Sequence, residues 1–197
     1  MQAYLLPRAS ASERALDRAT RKRGRLDEAR RSYRRALAIV EAAEGPDDPE
    51  LMTYVLGLGD TALGQGQLDD AMAYYRRAAS IAESASTAEA EVVLPLALMG
   101  MAAIELEQRA RERAREHAEQ AVALIEGLEA LPAVIDWARD DLPKARFLLA
   151  RALWPQRAER RRARQLVEQA RDALVESGAD PEGLEAVERW LERHAAP

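Results

Sequence analysis

Apolar positions recur at helical spacing along most of the chain. Ala29, Tyr33 and Ala36 stand at steps of four and three, and the same steps recur at Ala71, Tyr75 and Ala78. They return at Ala114, Ala118 and Ala121, and again at Ala163, Val167 and Ala170. Such steps place three side chains on one helical face. The small residues at each end let a second helix approach closely, and the larger central one fills the space between. Leu16, Leu58 and Met101 each lie thirteen residues ahead of the first Ala of their own set. Successive sets are 42, 43 and 49 residues apart. A period of that size marks stacked supersecondary units. Four helical hairpins are predicted, in units of about 9–44, 48–85, 87–128 and 140–177.

The second unit shows the local logic. After Gly45-Pro46-Asp47-Asp48-Pro49, an apolar helix is predicted from about Leu51 to Gly64, with Val55, Leu58, Gly59 and Ala62 on one face. Gly64-Gln65-Gly66-Gln67 breaks it, because glycine readily takes the left-handed conformation at a helix end. Asp69 and Asp70 then open the next helix, where negative charge suits the dipole, and that helix runs to about Glu83. Neither helix buries its apolar stripe alone; stacking makes one continuous core. Asp180-Pro181 reads as a further helix start, with Leu184, Val187 and Leu191 as a stripe and Glu182, Glu185, Glu188 and Glu192 facing water. Residues 180–197 are therefore a capping helix, 9–179 the repeat array, and 1–8 a frayed end. Pro132, Trp137 and three Asp between Leu131 and Leu142 predict an extra short helix, which accounts for the 49-residue step.

These residues resemble the tetratricopeptide repeat in its roughly 42-residue form, as in kinesin light chains. The linker there reads Gly-x-Asp-x-Pro-Glu, matched by Gly45 to Glu50, and the hairpin is matched by Leu58-Gly59, Gly66, Ala71, Tyr75 and Ala78. The likeness extends over about residues 10–177; Arg109 stands where glycine is usual, and Pro155 interrupts the fourth turn. Residues 145–154 (Ala-Arg-Phe-Leu-Leu-Ala-Arg-Ala-Leu-Trp) and 184–191 (Leu-Glu-Ala-Val-Glu-Arg-Trp-Leu) resemble the tetratricopeptide tails of bacterial serine/threonine protein kinases, myxobacterial ones above all. No Gly-rich nucleotide loop, catalytic loop or metal-binding kinase motif accompanies them. The resemblance implies an all-α, right-handed superhelix whose concave groove holds a protein or peptide segment, in a setting of kinase signalling.

Composition narrows the chemistry. Cysteine is absent, so disulfide scaffolds, zinc knuckles, thiol nucleophiles and iron–sulfur sites are excluded. His117 and His194 are isolated, and no metal-ligand spacing or Gly-x-Ser-x-Gly elbow occurs. No catalytic residue, metal or cofactor is expected, and His117 reads as a surface residue among charges. The 13-residue apolar run Val92–Ile104 contains Pro95 and Gly100, too short for the roughly 20 residues of a membrane span. With no apolar stretch for a signal peptide at the start, a cytoplasmic location and no membrane partner are expected. Net charge is −5, uneven along the chain: +5 over residues 1–44, −9 over 45–108 and −1 over 109–197. The arginine runs 109–115 and 157–164 each open a helix where Glu112 and Glu116, or Glu159, interrupt them, and stacking aromatics are few, so a solvated helix face is favoured over nucleic-acid binding.

The repeat register then nominates groove residues. In the first unit Arg14, Arg18, Arg21 and Lys22, at i, i+4, i+7 and i+8, would gather four cations suited to a carboxylate or acidic segment. The alternative is the solvated face of a degenerate first helix. Thr53, Leu56, Asp60 and Leu63 follow in the second unit, and Met99, Ala103 and Leu106 in the third, with neighbouring-helix packing as the alternative for Met99 and Leu106. In the fourth unit Arg151 faces the groove if Ala150 is the small packing residue. A structural or self-assembly module, stacking through residues 1–25, is the rival to a binding scaffold.

Overall fold

A computed structural model describes the chain over residues 11–128 and 135–194, with side chains over 23–128 and 140–194. The described residues are mainly helical, joined by short turns, with no strand among them. The helices are α1 (Ala11–Glu44), α2 (Leu51–Gly64), α3 (Leu68–Ser84), α4 (Ala88–Glu107), α5 (Arg111–Leu128), α6 (Ile135–Leu153), α7 (Arg160–Ser177) and α8 (Pro181–Arg193), with a 3₁₀ turn at Arg157–Glu159. Each helix packs on its neighbours in sequence, and α2, α4 and α6 also touch one another in that order. The fold is an all-α, tetratricopeptide-like solenoid with the first helix of each hairpin on an inner layer.

The repeated small–large–small sets form the seam between layers. Ala71, Ala78, Ala114, Ala118, Ala121, Ala163 and Ala170 are fully buried, and Tyr75 is 1% exposed. Tyr75 from α3 is wedged between α2 and α4 at two glycines. A Cβ added at Gly59 would stand 2.7 Å from its ring, and one at Gly100 closer still. Tyr33 of α1 repeats the device one unit earlier, where a Cβ on Gly57 would stand 2.5 Å from its ring. In two of the sets the residue after the first Ala ties its helix to the next hairpin turn. Arg30 donates to Gln65 Oε1 at 3.0 Å and to Gln67, and Arg115 reaches Gln156 Oε1 at 3.5 Å from the matching position.

The α2–α3 and α4–α5 turns are the same turn 43 residues apart. Gly66 N–H donates to Leu63 O and Gln67 N–H to Ala62 O, both at 2.9 Å, with Gly66 at φ +73°. Arg109 N–H donates to Leu106 O at 3.2 Å and Ala110 N–H to Glu105 O at 2.8 Å, with Arg109 at φ +60°. The paired bonds close the last helical carbonyls and force one residue into the left-handed region. Arg109 therefore takes a glycine's backbone conformation with a side chain attached.

Two elements differ from the sequence expectation. Over the first unit the chain does not turn back: α1 is one helix of 34 residues, unbroken at Gly24, which stands where Gly66 stands in the second unit. Residues 11–23 offer Leu16 as their one large apolar side chain. A helix with so little to bury gains nothing by folding back, while its Ala, Arg and Glu residues favour continuation. The extra short helix before Leu142 is likewise absorbed. From Ile135 onward the chain already belongs to α6, which continues through Pro143 in its interior. Residues 129–134, and the segment 1–8, lie outside the described residues.

At the C-terminal end α8 packs on α7. Asp180 caps it, accepting from Gly183 N–H at 2.9 Å, with Pro181 in the first turn. Val187 and Trp190 are buried, while Glu182, Glu185, Glu188 and Glu192 are exposed. Trp190 meets Trp154 edge-on at 4.8 Å and stacks on His194 at 4.1 Å, which locks the cap to the end of α6.

Tyr75→Ala is expected to destabilise the fold by about 3–4 kcal/mol in urea titration, since it empties a fully packed aromatic site between two helices. A loss below about 1 kcal/mol, an ordinary mutational effect, would remove the ring from its wedge role. Arg109→Gly is expected to stabilise by about 1 kcal/mol, by relieving the left-handed backbone of its side chain. Unchanged or lower stability would show that the turn carries no such strain.

Candidate binding groove

Because α2, α4 and α6 lie side by side on the inner layer, residues one turn apart on each helix meet across it. Asp60 and Leu63 come from α2, Leu96, Met99 and Ala103 from α4, and Asp141, Lys144 and Phe147 from α6. Together they line a cavity of about 400 Å³, with Tyr75 and Gly100 at its base. Val187 of α8 and Leu174 of α7 close the far end. The walls are mainly apolar and the polar groups few, which is the make-up of a recognition site.

The polar groups are held in place from behind. The Tyr75 hydroxyl donates to Asp60 Oδ1 at 2.8 Å. Asp60 is exposed on the groove side, and the surrounding walls bury its carboxylate in part. That burial pushes its pKa above the usual 3.8; the Tyr75 bond pulls the other way, and the charge of Asp141 adds to the rise. Burial likewise raises the Tyr75 hydroxyl far above the ordinary tyrosine value, helped by the charge of Asp60 and by the hydrogen bond itself, so it remains a donor. On α6, Lys144 Nζ donates to Asp141 Oδ1 at 2.8 Å. Burial lowers the Lys144 pKa, but the Asp141 bond and the charges of Asp141, Asp180 and Asp140 outweigh it and raise it overall.

Asp60, Leu63, Met99 and Ala103, nominated from the register, are thus brought together in one cavity. Thr53 is exposed on α2 outside it, Leu56 belongs to the buried core, and Leu106 is half-buried beyond the lining. Leu56 was misplaced by a helix stripe wide enough to touch both groove and core. Arg151 is exposed, its guanidinium carbon 5.8 Å from the centre of the Phe147 ring, so it sits over a residue of the cavity rather than in its wall. Arg14, Arg18, Arg21 and Lys22 fall on α1, and their side chains lie outside the described residues.

Sequence reasoning missed Asp141, Lys144 and Phe147. The available signal was the i, i+3, i+6 run that places all three on one face of a helix, and Lys144 as one of two lysines in the chain. It also misread His117. This histidine is not a plain surface residue: its Nδ1 lies 2.8 Å from Oε2 of Glu105, whose side chain is 1% exposed. Arg113 stands 3.9 Å from the other Glu105 oxygen, too far for a hydrogen bond, so α5 gives the carboxylate buried on α4 one bonded partner and one nearby cation. Four of the nine arginines in the two runs form ion pairs within the array, among them Arg115 with Glu119 at 3.3 Å and Arg162 with the same Glu119 at 3.0 Å.

Among the described residues no three His, Asp or Glu side chains are grouped as a metal site. No described helix is long and apolar enough to cross a membrane. A comparison with protein-family models matches residues 12–84, the stretch from α1 through α3, to the tetratricopeptide repeat. A search of curated proteins gives no match.

The raised pKa of Asp60 fixes the sign of a pH effect. Its contribution to stability is present in full below the ordinary 3.8 and is lost as pH rises through the higher folded-state value. At neutral pH the ionised group therefore burdens the fold. Asp60→Asn, which keeps an acceptor for Tyr75, is expected to raise the urea midpoint at pH 7, and the gain should shrink as the pH is lowered towards about 4. A pH-independent difference would remove the charge as its cause.

Proposed function

We propose that the chain is a non-enzymatic scaffold or adaptor that holds a segment of a partner protein in the groove formed by α2, α4 and α6. Tetratricopeptide repeats are in general protein–protein interaction modules, and the match over residues 12–84 supports that class of role. The observation that carries the reading is the cavity in which three inner helices and α8 present a mainly apolar wall with a few oriented polar groups. Binding there works by rigid display. Helices fixed by the Tyr75 wedge and the α8 cap hold the groove side chains ready, so a ligand meets little ordering cost from the receptor.

A regulatory place beside a serine/threonine kinase is the finer proposal. It draws on the likeness of residues 145–154 and 184–191 to kinase tails. Those two stretches pack on each other through Trp154 and Trp190, 4.8 Å apart, and through Phe147 and Trp190, 6.4 Å apart. A second reading, self-assembly, is favoured by Ile39, 60% exposed on α1. Light scattering across a concentration series separates the two, since a strict monomer removes self-assembly.

The groove reading is tested by pull-down from lysate with the whole chain beside a Leu63→Glu, Leu96→Glu variant and an Arg14→Glu, Arg18→Glu, Arg21→Glu variant. Circular dichroism checks that each remains helical. Capture reduced at least tenfold by the Leu63→Glu, Leu96→Glu pair is expected. Loss with the arginine variant alone would move the site to the first unit, and equal capture by all three proteins would take it off the groove.

A further inference from the structure

The electrostatics of the cavity select the sign of its occupant. Asp60 accepts from Tyr75 through Oδ1, and among the described residues no arginine or lysine forms an ion pair with it. Its second oxygen is left for a ligand. Lys144, the cation in the lining, is already spent on Asp141 at 2.8 Å, and Asp140 and Asp180 act on the same ammonium. Within the lining the carboxylates of Asp60 and Asp141 thus outnumber the single ammonium, and Asp140 and Asp180 add negative charge beside it. An anion entering here would meet repulsion from Asp60 and a lysine already neutralised. A cation would find one unpaired carboxylate, aimed by Tyr75, next to apolar surface.

That surface matches the stem of a basic side chain. Leu63, Leu96, Met99 and Phe147 can cover methylene groups while the charged head reaches Asp60, the way long basic side chains divide between apolar and polar surroundings. The Phe147 face adds attraction for a cation, and it already carries Arg151 on one side. A cavity of about 400 Å³ admits a side chain or two, not a folded surface.

We infer that the cavity takes a lysine or arginine side chain of a partner-protein segment, flanked by an aliphatic or aromatic residue, with Asp60 as its counter-ion. This rests on the groove reading above and gives it a polarity. It also sets this cavity apart from the basic Arg14, Arg18, Arg21 and Lys22 set, which would call for the opposite charge.

The test uses the full chain. Dodecapeptides are selected from a random phage-displayed library. The enriched peptides are then measured by fluorescence polarisation on the wild type, on Asp60→Asn and on Leu63→Glu, each checked by circular dichroism. Expected are peptides that share a lysine or arginine beside an apolar residue and bind Asp60→Asn at least tenfold more weakly. Replacing that lysine by norleucine, or that arginine by citrulline, should cost the same factor on the wild type and almost nothing on Asp60→Asn. Peptides lost on Leu63→Glu but indifferent to Asp60→Asn would overturn the cationic inference and leave the groove standing. Peptides indifferent to both variants, or no enrichment at all, would overturn the groove reading and the inference together.

Discussion

Everything in the inner layer depends on the aromatic wedge at Tyr75. Its ring occupies the space that a side chain at Gly59 or Gly100 would need, so α2 and α4 approach each other at a distance set by one residue of α3. The same residue reaches the groove with its hydroxyl and orients the Asp60 carboxylate at 2.8 Å. Packing and site chemistry are therefore joined in a single side chain. The ring is fully desolvated and its hydroxyl is not left without a partner, which is the condition for burying a tyrosine at low cost.

The arrangement of units shows how a solenoid tolerates drift from its pattern. Tyr33 on Gly57 and Tyr75 on Gly100 use an aromatic against a glycine, whereas one unit further on the matching positions hold Ala118 and Leu149, both buried. The hairpin turn survives with Arg109 in place of glycine because its two hydrogen bonds, not the residue, define it. The stitch between a second helix and the following turn is made by Arg30 in one unit and Arg115 in another, with buried Met72 at the equivalent place between them. Each junction is solved locally, as expected when a repeat contacts only its neighbours.

Much of this was legible in the sequence, and the parts that were not have physical causes. The second unit was readable to its boundaries, Leu51 and Gly64, since glycine, alanine and tyrosine there each do one geometric job. The first unit misled because helix periodicity says where a stripe points and not whether the helix turns back; the apolar poverty of residues 11–23 was the missing weight. Half of the cavity was legible, from α2 and α4. Asp141, Lys144 and Phe147 were hidden because the 49-residue step and Pro143 obscure the register of α6. The Glu105–His117 contact was hidden for another reason. A carboxylate in an apolar run shows only that it needs a partner, and the partner lies twelve residues away on a different helix.

The cavity draws its wall from Asp60 on α2 as far along the chain as Val187 on α8. In a one-dimensional stack, units near an end can melt while the centre persists, because each interface contributes on its own. A pocket that spans several interfaces exists only when all of them are closed at once. Any fraying that releases α8 takes away a wall, and any occupant favours the state in which α8 is docked. Ligand binding would thus act as a cooperativity term, coupling the melting of hairpins that otherwise sense only the next one along.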